Sequence, residues 1–507
     1  MERLKRSFSR ICLLLPTIIL EFVLLSKLMH WFGNRVVWIE TVLHIVGAII
    51  ILTIVRTARH LSSSIIWIIC IAMFPVFGTV TFLLLGADLL ISRTFKNITK
   101  WTDFARSYYV QDKKVMKELA EKDPDLYGDF HYISKSEGFP FYKNTGFDYY
   151  KTGDEGYPVM LEELKKAEKF IFMEYFIIEE GVMWNGILEI LEQKAKEGVD
   201  VRVMYDDLGS FFTVSGKFAS HLEEKGIRCI PFNRINPIIG TILNHRDHRK
   251  IMVIDGKVAF SGGVNLADEY INVISPFGHW KDNIIRITGQ AVWSYTVMFL
   301  THWNALSNVK DEDFAVFKAE PLRGRKDGYI APYGETPLDL EIVAQNIYMS
   351  IINQSKKYCY IMTPYLIIDT DMINTLILAA KRGVDVRIMT PGIPDKKVIW
   401  KITRSYYPQL IEGGVKIYEY TPGFVHAKVF VSDDMVATVG TVNLDYRSLY
   451  LHFENGTYLY GSKKVLEIRD DYLETIDQCR QMNSSETKNN LLMELVISIL
   501  RIFAPLM

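Results

Sequence analysis

Two short groups of histidine, lysine and aspartate, one in each half of the chain, have the residue types and spacing that phosphodiester chemistry requires. Each follows the pattern H-x-K-x4-D. An imidazole can act as a nucleophile or a proton donor, and an ammonium group can stabilise charge developing on a phosphate oxygen. A single copy is more often a solvated strand face, but two copies at matching places make coincidence negligible. The groups are His248, Lys250 and Asp255, and His426, Lys428 and Asp433.

A second element, G-[GT]-x-N, follows each group after a strand-like stretch. Glycine lets the backbone approach a phosphate closely, and hydroxyl and amide groups can donate hydrogen bonds to its oxygens. We therefore expect imidazole, ammonium and amide donors to converge on one phosphate. The candidate phosphate-binding or orienting residues here are Gly263 and Asn265 in the first copy, and Thr441 and Asn443 in the second.

The spacing within each group predicts a β-strand. Residues i and i+2 of a strand point to the same face, so His426 and Lys428 are predicted to project together. The aspartates lie at the strand end, where Asp255-Gly256 is typical of a hairpin turn. We expect Asp255 and Asp433 to fix this turn, a role more structural than chemical.

The elements that must position these groups form an internal repeat. From about residue 146, apolar strands alternate with amphipathic helices, a pattern typical of α/β proteins. Both halves read strand, helix, GVDVR, strand, and Gly198 and Gly383 are predicted helix C-caps. The sequence therefore predicts two related α/β/α units, joined by the charged stretch at 318–328.

The composition excludes several classes of protein. The 507 residues include 58 Lys plus Arg and 59 Asp plus Glu, whereas a dedicated nucleic-acid-binding protein carries a basic excess. A hydrophobic fraction of 49% excludes a disordered chain. The 5 cysteines are scattered without a CxxC pair, so we expect neither a disulfide framework nor a zinc site.

The apolar residues concentrate near the N-terminus, in three runs long enough to cross about 30 Å of hydrocarbon. The run at 65–85 has no charged side chain, and the runs at 36–55 and 11–32 have few. We expect two or three transmembrane helices over 1–90, with a cleaved signal peptide over 1–32 as the alternative. The flanking basic residues point in opposite directions, which leaves the side of the membrane open.

Longer stretches around both groups resemble the phospholipase D superfamily and, more closely, the bacterial cardiolipin synthases. They are NHRDHRKIMVID, GGVNLADEY and GHWKDNIIRITGQAV in the first half, and GFVHAKVFVSDD, VGTVNLDYRSL and LHFEN in the second. YDDLGS and the apolar N-terminal region also match, so the similarity covers nearly the whole chain. In this superfamily two such motifs, called HKD motifs, meet at a pseudo-twofold axis, and the resemblance implies one active site built from both repeats.

The resemblance and the motif chemistry together imply a two-step transfer. One imidazole attacks phosphorus and forms a phosphohistidine, and the other protonates the leaving alkoxide and then deprotonates the incoming alcohol. We assign His248 as the nucleophile and His426 as the general acid and base, while pseudo-symmetry leaves the reverse open. Alignment of the repeats adds Asp282 and Glu454 as groups that orient the imidazoles; a surface acid at a strand start is the alternative.

The resemblance further implies a multi-pass phosphatidyltransferase of the bacterial cell membrane. It would convert two phosphatidylglycerol molecules into cardiolipin and glycerol, with phosphatidylglycerol and membrane lipids as partners. We expect no nucleic-acid partner, no cofactor and no metal, since Lys250, Lys428 and amide groups can supply the positive charge. A phospholipase D-type hydrolase and a phosphatidyltransferase with another alcohol acceptor stay open, as does the oligomeric state.

These patterns divide the chain into six segments. The first two are a membrane anchor at 1–90 and a connecting segment at 91–145. The phospholipase D-like repeats follow at 146–317 and 336–484, with a linker at 318–335 between them. The apolar segment at 485–507 is expected to lie at the membrane interface, or to dock as an ordinary core helix.

Overall fold

The structure of the protein is a computed structural model, and it combines N-terminal helices with two α/β units. It describes residues 27, 37–57, 61–83, 93–234, 245–319, 327–339, 341–487 and 491–502. Within these residues the two units have sheets of closely related topology, and short strands join one unit to the other.

Helices precede the first strand. In the described part of the chain they are α1 (Val37–Thr57), α2 (Leu61–Met73), α3 (Pro75–Thr81), α4 (Arg93–Ala105), α5 (Lys113–Lys122) and α6 (Tyr127–His131). The run at 65–85, expected as one helix, is divided between α2 and α3, because Pro75 has no N–H to donate to the preceding turn. Among the described residues, no helix combines the length and the apolar character needed to cross a membrane. The run predicted at 11–32 lies outside the described residues apart from Lys27.

The first unit is a mixed sheet with helices packed on it. Its strands are β1 (Thr145–Tyr150), β2 (Phe170–Tyr175), β3 (Asp200–Asp206), β4 (Arg228–Phe232), β5 (Arg246–Asp247), β6 (Lys250–Ile254), β7 (Val258–Gly262), β8 (His279–Lys281) and β9 (Ile284–Gly289). Its helices are α7 (Gly153–Lys165), α8 (Val182–Lys196), α9 (Phe218–Glu224) and α10 (Val292–Leu306). The sheet order is β1-β9-β7-β6-β2-β3-β4, with β2, β3 and β4 parallel and the other neighbours antiparallel.

The second unit repeats this order. Its strands are β10 (Tyr329–Glu335), β11 (Tyr358–Met362), β12 (Asp385–Pro391), β13 (Lys416–Tyr420), β14 (Gly423–Val425), β15 (Val429–Ser432), β16 (Val436–Gly440), β17 (His452–Tyr460) and β18 (Cys479–Gln481). Its helices are α11 (Val343–Gln354), α12 (Thr370–Lys381), α13 (Lys397–Arg404), α14 (Tyr407–Glu412), α15 (Tyr446–Tyr450), α16 (Val465–Ile476) and α17 (Leu491–Ile502). The sheet order is β10-β17-β16-β15-β11-β12-β13-β18.

Strand β10 corrects the predicted linker at 318–335. All its residues pair antiparallel with β17, so the second sheet begins at Tyr329. Pro332 and Gly334 read as turn residues in the sequence, yet β10 is an edge strand, where proline is tolerated. The predicted helix C-caps are confirmed: Gly198 and Gly383 have φ of 89° and 94°, in the left-handed region that favours glycine.

One apolar core joins the two units. Side chains from both sheets, such as Phe172 of β2 and Val431 of β15, belong to the same buried cluster, and so do most residues of α10. Phe95 and Ile98 of α4 also lie in it, so part of the segment at 91–145 packs on the core. The two repeats are therefore held against each other by buried apolar surface.

The C-terminal helix α17 lies on the second unit. The guanidinium carbon of Arg501 lies 4.1 Å from the ring centre of Tyr406. Leu495, Val496 and Ile499 are exposed on α17. One face of this helix is therefore docked, and another presents apolar side chains outward.

Candidate active site

Two short strand pairs bring the motifs of the two repeats together. Strand β5, directly before His248, pairs with the start of β17, and β14, directly before His426, pairs with β8. The backbone N–H of His248 donates to the carbonyl of Phe453, and that of His426 donates to the carbonyl of Lys281. Each histidine is thus fixed by a strand of the opposite repeat.

The first imidazole lies against an acid from the second repeat. His248 Nδ1 lies 2.9 Å from both carboxylate oxygens of Glu454, and both residues are buried. The Thr441 hydroxyl donates to Glu454 and fixes the orientation of the carboxylate. With Nδ1 committed to the acid, Nε2 is the nitrogen left for chemistry.

The second imidazole has the complementary arrangement. His426 Nδ1 lies 2.7 Å from Asp282 Oδ2, and Asp282 belongs to the first repeat. A Cβ at Gly263 would lie 1.9 Å from the carboxylate of Asp282, so only glycine leaves room for this acid. The structure therefore places both candidate orienting acids against an imidazole, and the two acids are exchanged between the repeats.

The two motif lysines complete a cationic site. Lys250 Nζ donates to the carbonyl of His248 at 2.8 Å, and Lys428 Nζ donates to the carbonyl of His426. Burial lowers the pKa of Lys250 to about 7 and that of Lys428 to about 8, against the opposing charge of Glu454 and Asp282. An entering phosphate would favour the protonated ammonium groups.

Burial and the lysines also set the charge of the imidazoles. Burial, with Lys250 adding to it, lowers the pKa of His248 well below its usual value. Burial and Lys428 lower the pKa of His426 to about 4. Both rings are therefore neutral at neutral pH.

The two acids, Glu454 and Asp282, differ in the protonation state that their surroundings favour. Burial raises the pKa of Glu454 well above its usual value. Burial would also raise the pKa of Asp282, but its interaction with His426, including their hydrogen bond, and the charge of Lys428 outweigh burial and lower that pKa below its usual value. Asp282 is therefore ionised at neutral pH, whereas burial favours the protonated form of Glu454.

The motif aspartates do not reach this site. Asp255 lies in the β6–β7 turn, with φ of 53°, and its carboxylate accepts the backbone N–H groups of Glu168, Lys169 and Phe170 at 2.8–2.9 Å. Asp433 accepts the corresponding N–H groups of Lys356, Lys357 and Tyr358 at the start of β11, at up to 2.9 Å. The structure gives both aspartates the turn-fixing role and separates them from the phosphate chemistry.

The side chains of the G-[GT]-x-N elements make hydrogen bonds within the protein. Asn265 accepts the N–H of Ile177 and donates to the Tyr270 hydroxyl at 2.7 Å. Asn443 hydrogen-bonds Asp445, and Thr441 donates to Glu454. These hydrogen bonds hold the two elements in place, and their role in binding phosphate stays a prediction.

Several residues of the site were not found from the sequence. The Phe176 ring lies 4.9 Å from that of His248, and the Trp280 ring lies 5.3 Å from that of His426. Asn455 accepts the N–H of Lys250 and donates to Ser261 at 2.7 Å, which ties the first motif to β17. The sequence does hold a signal for Asn455, because an acid followed by asparagine occurs at the same place in both repeats, as Asp282-Asn283 and Glu454-Asn455.

Residue types that bind metals lie close together at two points in the described part of the chain. The groups are His248, His452 and Glu454, and Glu174, Asp247 and His302, and the ligand atoms of each lie within 4.8 Å of one another. The Lys250 ammonium opposes a cation at the first group. At the second group, the guanidinium of Arg249 lies 4.0 Å from Glu174 and likewise repels a cation.

The site thus offers two neutral imidazoles, each with Nδ1 held by an acid, and two ammonium groups for one phosphate. One imidazole can attack phosphorus while the other moves a proton, which is the division of labour of a double displacement. The two-repeat fold and this paired site define the phospholipase D class of phosphoryl-transferring proteins.

Comparison with known proteins identifies the family to which the chain belongs within this class. The family described as cardiolipin synthase, PLD-like domain, matches residues 160–298 and 348–476. A cardiolipin synthase of Alkalihalophilus pseudofirmus is 33% identical over 89% of this chain and 90% of its own length. An uncharacterized protein of Streptococcus mutans is 46% identical over 90% of this chain and 99% of its own. A solved phosphatidylserine synthase of Haemophilus influenzae shares the fold, with a TM-score of 0.57, 14% identity, and coverage of 75% of this chain and 98% of that one.

The chain belongs to the cardiolipin synthase family of the phospholipase D superfamily. It is accordingly an enzyme, a phosphatidyltransferase.

Proposed function

We propose that the protein transfers a phosphatidyl group from one phosphatidylglycerol to another and releases glycerol. The observation that supports this most is the pair of buried imidazoles, each fixed at Nδ1 by an acid of the opposite repeat. Transfer between two alcohols needs one group to hold the phosphatidyl moiety and one to move protons. The relatives named cardiolipin synthase agree with this reaction.

In the first step His248 Nε2 attacks phosphorus, a P–N bond forms, and the P–O bond to glycerol breaks. His426 gives its proton to the leaving glycerol oxygen. Burial and Lys428 lower the pKa of His426 to about 4, but the negative charge of a bound phosphodiester raises it. The ionised Asp282 then stabilises the imidazolium, which supports His426 as the acid.

In the second step His426 accepts the proton of the terminal hydroxyl of a second phosphatidylglycerol. The alkoxide oxygen attacks phosphorus, a P–O bond forms, and the P–N bond to His248 breaks. The products are cardiolipin and glycerol, and both histidines return to their starting state. Lys250 and Lys428 stabilise the phosphate oxygens in both steps.

We further propose that the enzyme works at the bacterial membrane, where its lipid substrates are concentrated. Apolar side chains on one face of α1, among them Ile45, Ile49 and Leu52, are exposed and suited to lipid contact. The outward face of α17, with Leu495 and Ile499, offers a second such surface. Co-sedimentation of the full-length protein with phosphatidylglycerol vesicles tests this; protein left in the supernatant would contradict it.

The reaction is tested with purified full-length protein in phosphatidylglycerol vesicles, with products identified by mass spectrometry. We expect cardiolipin and glycerol in equal amounts, and neither from His248→Ala or His426→Ala. Arg382→Gln serves as a matched control, because the Arg382 side chain, at the end of α12, donates to the main-chain carbonyls of Ile352 and Asn353 at the end of α11. Phosphatidate with glycerol as the main products would identify a hydrolase and refute the proposal.

A further inference from the structure

The two halves of the site differ at equivalent positions beside the imidazoles. Next to His426, strands β14 and β8 pair Phe424 with Trp280, whose rings lie 4.8 Å apart. In the other half, the equivalent pair of β5 and β17 is Arg246 with His452. An apolar pair satisfies the fold at this position, so the fold itself does not require the polar one.

The polar pair borders the first imidazole. Paired residues of neighbouring strands project to the same face, and so do residues two apart along a strand. Glu454 lies two residues beyond His452 on β17, and His248 lies two residues beyond Arg246, directly after β5. The rings of His248 and His452 have centres 5.7 Å apart.

Two arginine donors of this region are buried without a hydrogen-bond partner, Nη1 of Arg246 and Nε of Arg447. The ring nitrogens of His452 likewise make no hydrogen bond, although Nδ1 lies 3.7 Å from the carboxylate of Glu454. Arg246 is otherwise held in place, with Nε 3.0 Å from Asp206 and Nη2 3.1 Å from the carbonyl of Asn233. Buried donors without acceptors are costly, which points to an acceptor supplied from outside the chain. We call Arg246, Arg447 and His452 the basic cluster.

The charges of the basic cluster favour an anion. Burial and the charge of Arg246 lower the pKa of Arg447, and burial and both arginines lower the pKa of His452. Asp206 already accepts three backbone N–H groups besides Arg246, and Asp445 caps helix α15. The residue equivalent to Arg447 in the first repeat is the acid Glu269. The positive charge at this position is therefore present in the second repeat only.

We propose that the basic cluster binds the phosphate of the acceptor lipid. This inference rests on the proposed function, because only an acceptor that is itself a phospholipid carries a second phosphate. Arginine and histidine N–H groups suit phosphate oxygens, and a glycerol group joins that phosphate to the reacting hydroxyl. Holding the phosphate beside His248 directs the hydroxyl to the phosphohistidine. Water and simple alcohols have no such anchor, so the basic cluster selects the acceptor.

The test is a competition between two acceptors in one sample. Full-length protein acts on phosphatidylglycerol vesicles in the presence of ethanol, and mass spectrometry gives the ratio of cardiolipin to phosphatidylethanol. Both products come from the same donor and the same phosphohistidine, so the ratio does not depend on the amount of folded enzyme. The variants are Arg447→Gln, Arg447→Lys and His452→Asn, with Arg382→Gln as the control.

We expect the ratio to fall about 10- to 100-fold in Arg447→Gln and His452→Asn, the range for a lost hydrogen bond to a charged group. The ratio should fall less in Arg447→Lys, because lysine keeps the positive charge. A ratio within about twofold of wild type in Arg447→Gln and His452→Asn, below the weakest such loss, would refute the subsite alone. Wild-type enzyme that forms phosphatidylethanol but no cardiolipin would refute the proposed function, and the subsite with it.

Discussion

At the scale of single residues, the site depends on how burial and opposite charge compete. Both imidazoles are kept neutral by burial, yet each lies against a carboxyl group that can stabilise its cation. Asp282 holds its charge in this environment because His426 and Lys428 lie beside it. The same burial favours the protonated form of Glu454.

Because Asp282 and Glu454 differ in their favoured protonation state, we expect replacing each of them by its amide to have unequal effects on activity. Asp282→Asn removes an ionised group and should lower kcat at least about 100-fold, the usual contribution of general acid–base catalysis. Glu454→Gln replaces a group whose protonated form is favoured and should cost less. Steady-state kinetics with short-chain phosphatidylglycerol measures both, and a larger loss in Glu454→Gln would contradict the assignment of charges.

The pKa values of the two motif lysines predict the pH above which activity falls. Their pKa values of about 7 and about 8 mean that both ammonium groups lose their protons as the pH rises through this range. The site then loses the positive charge that attracts the phosphodiester, so kcat/KM should fall above about pH 8. Thermal unfolding over the same range separates this effect from loss of fold. A kcat/KM that stays constant to pH 10 would show that these charges are not required.

At the scale of elements, hairpins and short strand pairs hold the site. The β6–β7 hairpin carries the first motif, and Asp255 joins its turn to the start of β2 through three backbone N–H groups. The β5–β17 pair then places His248 beside Glu454. Catalytic geometry and turn geometry are thus supplied by different ends of the same motif.

Asp255→Ala should therefore affect stability more than chemistry. It removes the acceptor of three backbone N–H groups and a residue suited to φ of 53°, and should cost about 2 kcal/mol of unfolding free energy. Thermal denaturation measures this, with Asp103→Asn as a control because the Asp103 side chain is 67% exposed. Loss of activity in fully folded Asp255→Ala would instead place this aspartate in the chemistry.

Elements also mark the limit of what the sequence could predict. The motifs, the repeat, the helix caps and the two acids recur in both halves, so comparing the halves finds them. The exchange of Asp282 and Glu454 depends on pairing between distant strands, which no local pattern encodes. His452 has Trp280 as its counterpart and so left no repeated signal. Strand β10 was missed because its proline and glycine resemble a turn.

At the scale of the whole molecule, one chain builds one site from two repeats. The shared apolar core and the exchanged acids mean that neither repeat holds a complete set of groups. The pseudo-symmetry is broken beside His248, where the basic cluster replaces an aromatic pair. The two halves can therefore take different parts in handling two phospholipid substrates.

A mixture of His248→Ala and His426→Ala proteins should therefore remain inactive. Each chain lacks one histidine of its own site, and the opposite repeat of the same chain already occupies the position of a partner. Cardiolipin formation in mixed vesicles measures this, with wild type diluted into His248→Ala as the positive control. Activity recovered by mixing would indicate a site shared between chains.

In the proposed mechanism, His248 carries the phosphatidyl group between two lipids. The most direct measurement is to quench wild-type enzyme during turnover at alkaline pH, where phosphohistidine survives, and to map the modified peptide by mass spectrometry. We expect a phosphatidyl adduct on the peptide that contains His248, and its loss on adding fresh phosphatidylglycerol. An adduct on His426 would reverse the roles of the two histidines, and turnover without an adduct on either would contradict the mechanism.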